Sequence, residues 1–210
     1  MKIPILAYIA AASFFFPSTV GIYKWKEQDT LMKVFIVYCC FSSLHVIVEY
    51  TIGRMGMPTH ALSNLHQLVE LTAISFVYFK YAQHNGIKNI IQYGTLVYVF
   101  VWILYKFTFE EPQKISELIQ TSGRFILICF STIILFEMIR VSKNGIIKKK
   151  VFWIVAGVIL YSAGTIIIFT TGNKILTMGM TYFEFLWHFN WTLAILANSL
   201  FVKGILCKTF

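Results

Sequence analysis

Three pairs of a histidine and a glutamate stand four residues apart in this chain, namely His45 with Glu49, His66 with Glu70, and His188 with Glu184. Residues four apart share one face of a helix, so each pair can present an imidazole and a carboxylate together. Both groups bind zinc or iron, and three histidines with an open fourth position are typical of catalytic zinc. The pattern predicts a zinc-type metal site at His45, His66 and His188.

Carboxylates beside such a site have two uses. Glu49, Glu70 and Glu184 are predicted to act as the base for a metal-bound water or to orient a histidine. The spacing is moderately specific, because no segment carries the two histidines of a His-Glu-x-x-His helix. A hydrolase-like protein is one expectation, and the sequence leaves open whether the chain is an enzyme. Further polar and aromatic residues are predicted to line the same pocket: Asn64, Gln67, Arg124, Asn190 and Trp191.

The composition identifies the kind of protein that must position these residues. With 58% hydrophobic residues, 13% charged residues and a mean hydropathy of +0.71, the chain has too little polar surface for a soluble globule. It is predicted to be an all-α membrane protein, a single seven-helix transmembrane domain over residues 1–210. Its lipid partner is the bilayer. The predicted helices are about 3–23, 31–52, 60–80, 89–108, 118–138, 151–171 and 183–206.

The distribution of basic residues predicts the orientation. Twelve of the eighteen Lys and Arg residues fall in the first, third and fifth loops, the C-terminus or the adjoining helix ends. The positive-inside rule therefore places the N-terminus outside and the C-terminus in the cytoplasm of a plasma or inner membrane. The net charge of +9 needs no nucleic acid to explain it. The twelve residues are Lys24, Lys26, Lys33, Lys80, Lys88, Arg140, Lys143, Lys148, Lys149, Lys150, Lys203 and Lys208.

This orientation brings the three pairs to a similar depth in the outer half of the bilayer, and Arg124 joins them there. We expect the second, third, fifth and seventh predicted helices to turn inward around an outward-facing polar pocket. The first, fourth and sixth carry no ionisable residue in their middles. Since charged groups are expensive to place in lipid, these three helices are expected to take the larger share of lipid contact.

Two other interpretations fit the same residues. In one, the polar groups only join helices, with Arg124 paired to a glutamate and each histidine paired to its neighbour. In the other, they form a small-molecule, lipid or proton-binding pocket of a sensor, receptor or transporter. A receptor of this size would need a partner protein to signal, because its cytoplasmic loops are short. Retinal is not expected, because Lys203 lies near the end of the last helix rather than in its middle.

In outline, seven helices with a three-histidine site resemble the membrane hydrolases that include alkaline ceramidases and adiponectin receptors. Those families place paired histidines on the last helix, where this chain has His188 alone. Their zinc lies on the cytoplasmic side, opposite to the side predicted here. No residue role is assigned from this resemblance.

Overall fold

The computed structural model describes residues 4–108, 117–141, 145–170 and 180–207, with only the backbone of residues 180–183. The long elements in these ranges are all α-helices, and two short 3-10 helices lie at Trp25–Glu27 and Ile146–Lys148. In chain order the α-helices are α1 Ile5–Ser13, α2 Phe15–Tyr23, α3 Thr30–Arg54, α4 His60–Tyr81, α5 Asn85–Thr108, α6 Glu117–Val141, α7 Lys150–Thr170 and α8 Met180–Leu206.

Each of the seven stretches predicted from the sequence is helical, and the predicted ends lie within four residues of the observed ones. The first stretch is divided at Phe14 into α1 and α2. The division lies one turn before Pro17, whose missing N–H cannot bond to the carbonyl group of Ser13. An interruption at this point is therefore a local consequence of the proline.

Five helical segments are long and apolar enough to cross a membrane, which supports the prediction of a helical membrane protein. The other two long helices, α4 and α6, are not among these five segments. They carry buried groups such as Gln67, Glu70 and Arg124. The five segments are Ile5–Tyr23, Thr30–Arg54, Asn85–Thr108, Lys150–Thr170 and Glu184–Leu206.

The described helices pack as a closed ring with one helix outside it. Going around the ring, the α1–α2 segment contacts α3, which is followed by α4, α6, α7 and α8, and α8 returns to α1 and α2. Helix α5 packs against α4 and α6 from outside and is the least buried of the five apolar segments. The ring therefore encloses an interior to which α5 adds little.

The two ends of this ring differ in chemistry. The end at which α1, α4, α6 and α8 begin is called the pocket end. The apolar core lies toward the opposite end, where large buried side chains include Met32, Phe35, Ile74, Tyr78 and Ile134. Close packing of small residues holds α7 to α8, because a Cβ atom at Gly157 would lie 2.5 Å from the Phe201 ring.

Lys150 links helices at the end of the ring opposite the pocket. It is almost fully buried, and its Nζ donates hydrogen bonds to Gln28 Oε1 at 2.9 Å and to Asp29 Oδ2 at 3.4 Å. Gln28 Nε2 in turn donates to the carbonyl oxygen of Ile205 at 3.0 Å. Asp29 also caps α3 by accepting from the backbone N–H of Met32. These bonds join the starts of α3 and α7 to the end of α8.

Candidate functional site

A cavity of about 380 Å³ lies at the pocket end, inside the ring. Six helices line it: α1, α3, α4, α6, α7 and α8. Its aromatic lining comes from Phe14, Tyr161, Phe169, Trp187 and Trp191. Its polar lining comes from His45, Glu49, Thr59, His60, Ser63, Asn64, His66, Gln67, Gln120, Arg124 and Asn190. The five residues predicted to line a pocket, Asn64, Gln67, Arg124, Asn190 and Trp191, are all in this wall.

A buried ion pair joins two helices at the cavity, and Arg124 is its member in the cavity wall. Arg124 Nη1 on α6 donates to Glu70 Oε1 on α4 at 2.8 Å, and both side chains are almost fully buried. The guanidinium also lies 4.7 Å from the ring centroid of Tyr161 and 5.8 Å from that of Phe169. Two aromatic faces therefore support the charge in addition to the carboxylate.

His45 and His66 lie side by side in the lining of the same cavity. Their ring centroids are 4.3 Å apart. His45 Nδ1 lies 3.8 Å from Glu49 Oε2, while Ser63 Oγ donates to Glu49 Oε1 at 2.9 Å. His66 Nε2 shares a hydrogen bond of 3.0 Å with Ser42 Oγ. The partner of His66 is thus a serine on α3, and its neighbour in sequence, Glu70, is bound to Arg124 instead.

The third predicted pair lies apart from the other two. His188 Nδ1 is 2.6 Å from the carbonyl oxygen of Glu184, and the His188 ring contacts Trp191 at 5.1 Å between centroids. Glu184 is exposed, and neither residue lines the cavity. Within the described ranges, no group of three or more His, Cys, Asp or Glu side chains is arranged to hold a metal ion. The structure therefore brings two of the three predicted zinc ligands together, and the zinc site remains a prediction.

Gln67 differs from the other polar residues around the cavity. Its side chain is only 1% exposed, and its amide has no hydrogen-bond partner among the described residues. Neither its Nε2 nor its Oε1 makes a hydrogen bond within the described part of the protein. The nearby amides are already engaged, since Gln120 Nε2 donates to Asn64 Oδ1 at 3.0 Å. Buried polar groups are normally satisfied, so the unpaired amide of Gln67 is an exception among the described residues.

A second, smaller cavity of about 30 Å³ lies next to the first. The two share Phe14, His66, Tyr161 and Ala194 in their walls, and the small one is also lined by Glu70. It is large enough for a water molecule, and its carboxylate and hydroxyl lining suits one. Glu70 Oε2, the carboxylate oxygen not bonded to Arg124, has no partner in the described residues.

Two helices contribute more to the pocket than their sequences suggested. Helix α1 supplies Ala7, Ala10 and Ala11, Phe14 follows directly after it, and α7 supplies Tyr161 and Phe169. These residues carry no charge, so a search for ionisable groups in the middle of a helix passes over them. The spacing of the three alanines and Phe14 along the α1–α2 segment, at i, i+3, i+4 and i+7, is the signal that could have shown a small-residue face turned inward.

Comparison of the chain with known protein families, with curated proteins and with solved structures gave no significant match. The chemistry of the site therefore has to be judged from its own geometry. A cavity with aromatic walls, a partly exposed carboxylate, a neutralised ion pair and an unpaired amide is suited to enclosing a small organic molecule.

Proposed function

We propose that this chain is a seven-span membrane protein that binds a small organic molecule in a pocket open to the outer face. The observation that carries the proposal is the pocket of about 380 Å³, whose wall combines aromatic rings with convergent polar side chains. This volume falls within the range of small-molecule sites, which are mostly apolar with a few convergent polar groups.

Seven spans follow from the position of the two polar helices. Helices α4 and α6 have 22 and 25 residues, which is sufficient length to cross a hydrocarbon core of about 30 Å. The two helices are neighbours in the ring, flanked by α3 and α7, and their charged groups at Glu70 and Arg124 face each other in the interior. Their polarity is therefore internal to the bundle and compatible with a lipid surround.

The outward orientation follows from charge. The pocket lies at the end where α1 begins, and the opposite end carries Lys24, Lys26, Lys148, Lys149 and Lys150. The positive-inside rule assigns this basic end to the cytoplasm. The pocket then faces the outside, and a signal from it would leave through a partner protein because the described loops are short.

Ligand binding accounts for more of the site than interhelical adhesion does. A cluster built only to join helices would pair its polar atoms with one another. Here Gln67 Nε2 and Oε1, Arg124 Nε, Glu70 Oε2 and Asn190 Oδ1 are buried without a hydrogen-bond partner in the described residues. An unpaired buried polar atom costs about 1–3 kcal/mol. Adhesion between helices alone leaves that cost unexplained.

Thermal unfolding of the purified full-length protein tests the proposal. A panel of small ammonium, carboxylate and uncharged compounds is screened against the wild type, against Ala11→Phe and against Val97→Phe. Ala11 lines the pocket, whereas Val97 lies on the exposed face of α5. A ligand that binds only the folded state raises the melting temperature by mass action. We expect such a rise for the wild type and Val97→Phe, and its loss in Ala11→Phe, which fills the pocket.

A second measurement examines the opening of the pocket. Ala11→Cys in a background without the four native cysteines should react with a membrane-impermeant thiol reagent added outside. Val97→Cys, which would face lipid, should react slowly. If Ala11→Cys is unreactive from outside and no compound in the panel raises the melting temperature, the proposed function is wrong.

A further inference from the structure

We infer that the end of the ring opposite the pocket binds an anionic phospholipid, whose phosphate is held by Lys203 beside Trp153. The inference goes beyond the proposed function, because it concerns the other end of the molecule and a different class of ligand. Three observations on the described residues carry it: the excess of basic side chains at this end, the engagement of its carboxylates, and the contact between the lysine and the tryptophan.

Basic side chains outnumber acidic ones at this end of the ring. Within the described ranges it carries ten lysine and arginine residues but three carboxylates, Glu27, Asp29 and Glu137. A protein surface with this balance attracts the anionic headgroups of a membrane. The ten basic residues are Lys24, Lys26, Lys33, Lys80, Lys88, Arg140, Lys148, Lys149, Lys150 and Lys203.

The three carboxylates are engaged with other groups. Lys24 Nζ donates to Glu27 Oε1 at 2.8 Å, and Lys150 Nζ donates to Asp29 Oδ2 at 3.4 Å. Glu137 Oε1 accepts from two backbone N–H groups in the turn after α4, both at 2.9 Å. Because three carboxylates cannot balance ten basic groups, most of the positive charge of this end has no matching carboxylate.

Lys203 lies on a tryptophan ring rather than on a carboxylate. Its Nζ is 3.9 Å from the centroid of Trp153, and it makes no salt bridge within the described part of the chain. The indole Nε1 donates to the carbonyl oxygen of Ile147 at 2.9 Å, which fixes the position of the ring. A ring attracts a cation without neutralising it, so the exposed Lys203 keeps its charge for an anion.

Apolar side chains beside this contact favour a lipid over a free phosphate. Ile147 is 61% exposed, and Leu206, which follows Lys203 by three residues on the same face of α8, is 54% exposed. Tryptophan lies at the level of lipid headgroups in membrane proteins, and a lysine there extends its ammonium group toward the phosphates. An anionic phospholipid offers both a phosphate for Lys203 and hydrocarbon for the apolar side chains.

Native mass spectrometry of the full-length protein in a nonionic detergent tests this inference. The protein receives equal amounts of palmitoyl-oleoyl phosphatidylglycerol and palmitoyl-oleoyl phosphatidylcholine, and the first retained lipid is identified. The variants are Lys203→Gln, Lys203→Arg and Arg54→Gln, whose melting temperatures without lipid verify that they fold. Arg54 is the matched control, because its guanidinium lies 5.1 Å from the ring centroid of Tyr50 at the pocket end. Excess glycerol 3-phosphate tests whether a phosphate alone competes for the site.

We expect the wild type to retain phosphatidylglycerol in preference to phosphatidylcholine, and Lys203→Gln to reduce this preference about fivefold, the usual contribution of one lysine near an anionic membrane surface. Lys203→Arg and Arg54→Gln should keep the preference, and glycerol 3-phosphate should not displace the lipid. Equal retention of the two lipids, an unchanged preference in Lys203→Gln, an equal loss in Arg54→Gln, or displacement by glycerol 3-phosphate would overturn the inference. Binding in the pocket is tested separately, by the panel of compounds and the labelling of Ala11→Cys.

Discussion

Arg124 on α6 donates a hydrogen bond of 2.8 Å to Glu70 on α4, and both side chains are almost completely buried. The two charges come from α4 and α6, the two long helices that are not among the five membrane-capable segments. Because the pair is neutral as a unit, each helix compensates the ionised group of the other. The contact therefore explains how two polar helices can belong to a bundle that is otherwise apolar.

Breaking this pair on one side should destabilise the protein. Glu70→Gln leaves the guanidinium of Arg124 buried without its carboxylate, and we expect a loss of about 3–5 kcal/mol in the free energy of unfolding. Glu49→Gln serves as the control, because its carboxylate is 38% exposed and a pair of that kind contributes about 1 kcal/mol or less. Thermal or denaturant unfolding in one detergent measures both variants.

The double variant Glu70→Gln/Arg124→Met completes the cycle. Removing both charges eliminates the buried unpaired ion, so we expect it to recover most of the stability lost in Glu70→Gln. Arg124→Met alone is the fourth member of the cycle. If the double variant lost as much stability as Glu70→Gln and Arg124→Met together, the two charges would not interact in the folded protein.

Gly123 should be required for the position of Gln67. A Cβ atom at residue 123 would lie 2.6 Å from Gln67 Nε2 and 2.7 Å from Tyr98 Oη. Gly123→Ala is therefore expected to displace the Gln67 amide and to lower the free energy of unfolding by about 1–3 kcal/mol, the usual cost of overpacking. Gly53→Ala is the matched control, since nothing lies within 4 Å of its added carbon. Equal melting temperatures of the two variants would contradict the role of Gly123.

The zinc site predicted from the sequence can be tested by chelation. A metal bound only to the folded state raises the melting temperature. If the protein held zinc, excess chelator would therefore lower the melting temperature of the wild type and would lower that of His66→Ala less. Since His188 lies apart from the adjacent His45 and His66, we expect the wild-type melting temperature to stay the same. Stoichiometric zinc by elemental analysis, together with a chelator-dependent shift, would instead restore the metal site.

Cysteine labelling from the two sides of the membrane tests the orientation. Met57 is exposed at the pocket end and Ile147 is exposed at the opposite end. In a cysteine-free background, Met57→Cys should react with an impermeant reagent added outside, and Ile147→Cys should react only after permeabilisation. The reverse pattern would place the pocket on the cytoplasmic side and contradict the orientation inferred from charge.

Sequence reasoning was most successful for the elements themselves. Long apolar runs identified every helical stretch within four residues of its ends, because apolar length and helical spacing are properties of one segment at a time. The same reasoning found the polar faces of α3, α4 and α6. It also predicted Arg124 paired with a glutamate as one of its alternatives, without deciding which of three glutamates it would be.

The expected division into inward and lipid-facing helices needed correction. Among the described helices only α5 lies outside the ring. The α1–α2 segment is less buried than α3, α7 and α8, as expected, although it also lines the pocket, so the correction concerns α7. Helix α7 is as buried as α3. The reason is that an interior can be lined by alanine and aromatic side chains as well as by ionisable ones, so the absence of charge in a helix does not turn it toward lipid.

What the sequence alone determined was which residues share a face of their own helix. The rotation of each helix against its neighbours was decided only by tertiary packing. As a result Glu70 pairs with Arg124, His66 shares a hydrogen bond with Ser42, and His188 lies apart from the other two histidines. A four-residue spacing places two side chains on one stripe but says nothing about what lies opposite that stripe. Which residues lie opposite the stripe depends on how the side chains of neighbouring helices fit together, as in the close contact of Gly123 with Gln67. That fit depends on all the helices at once.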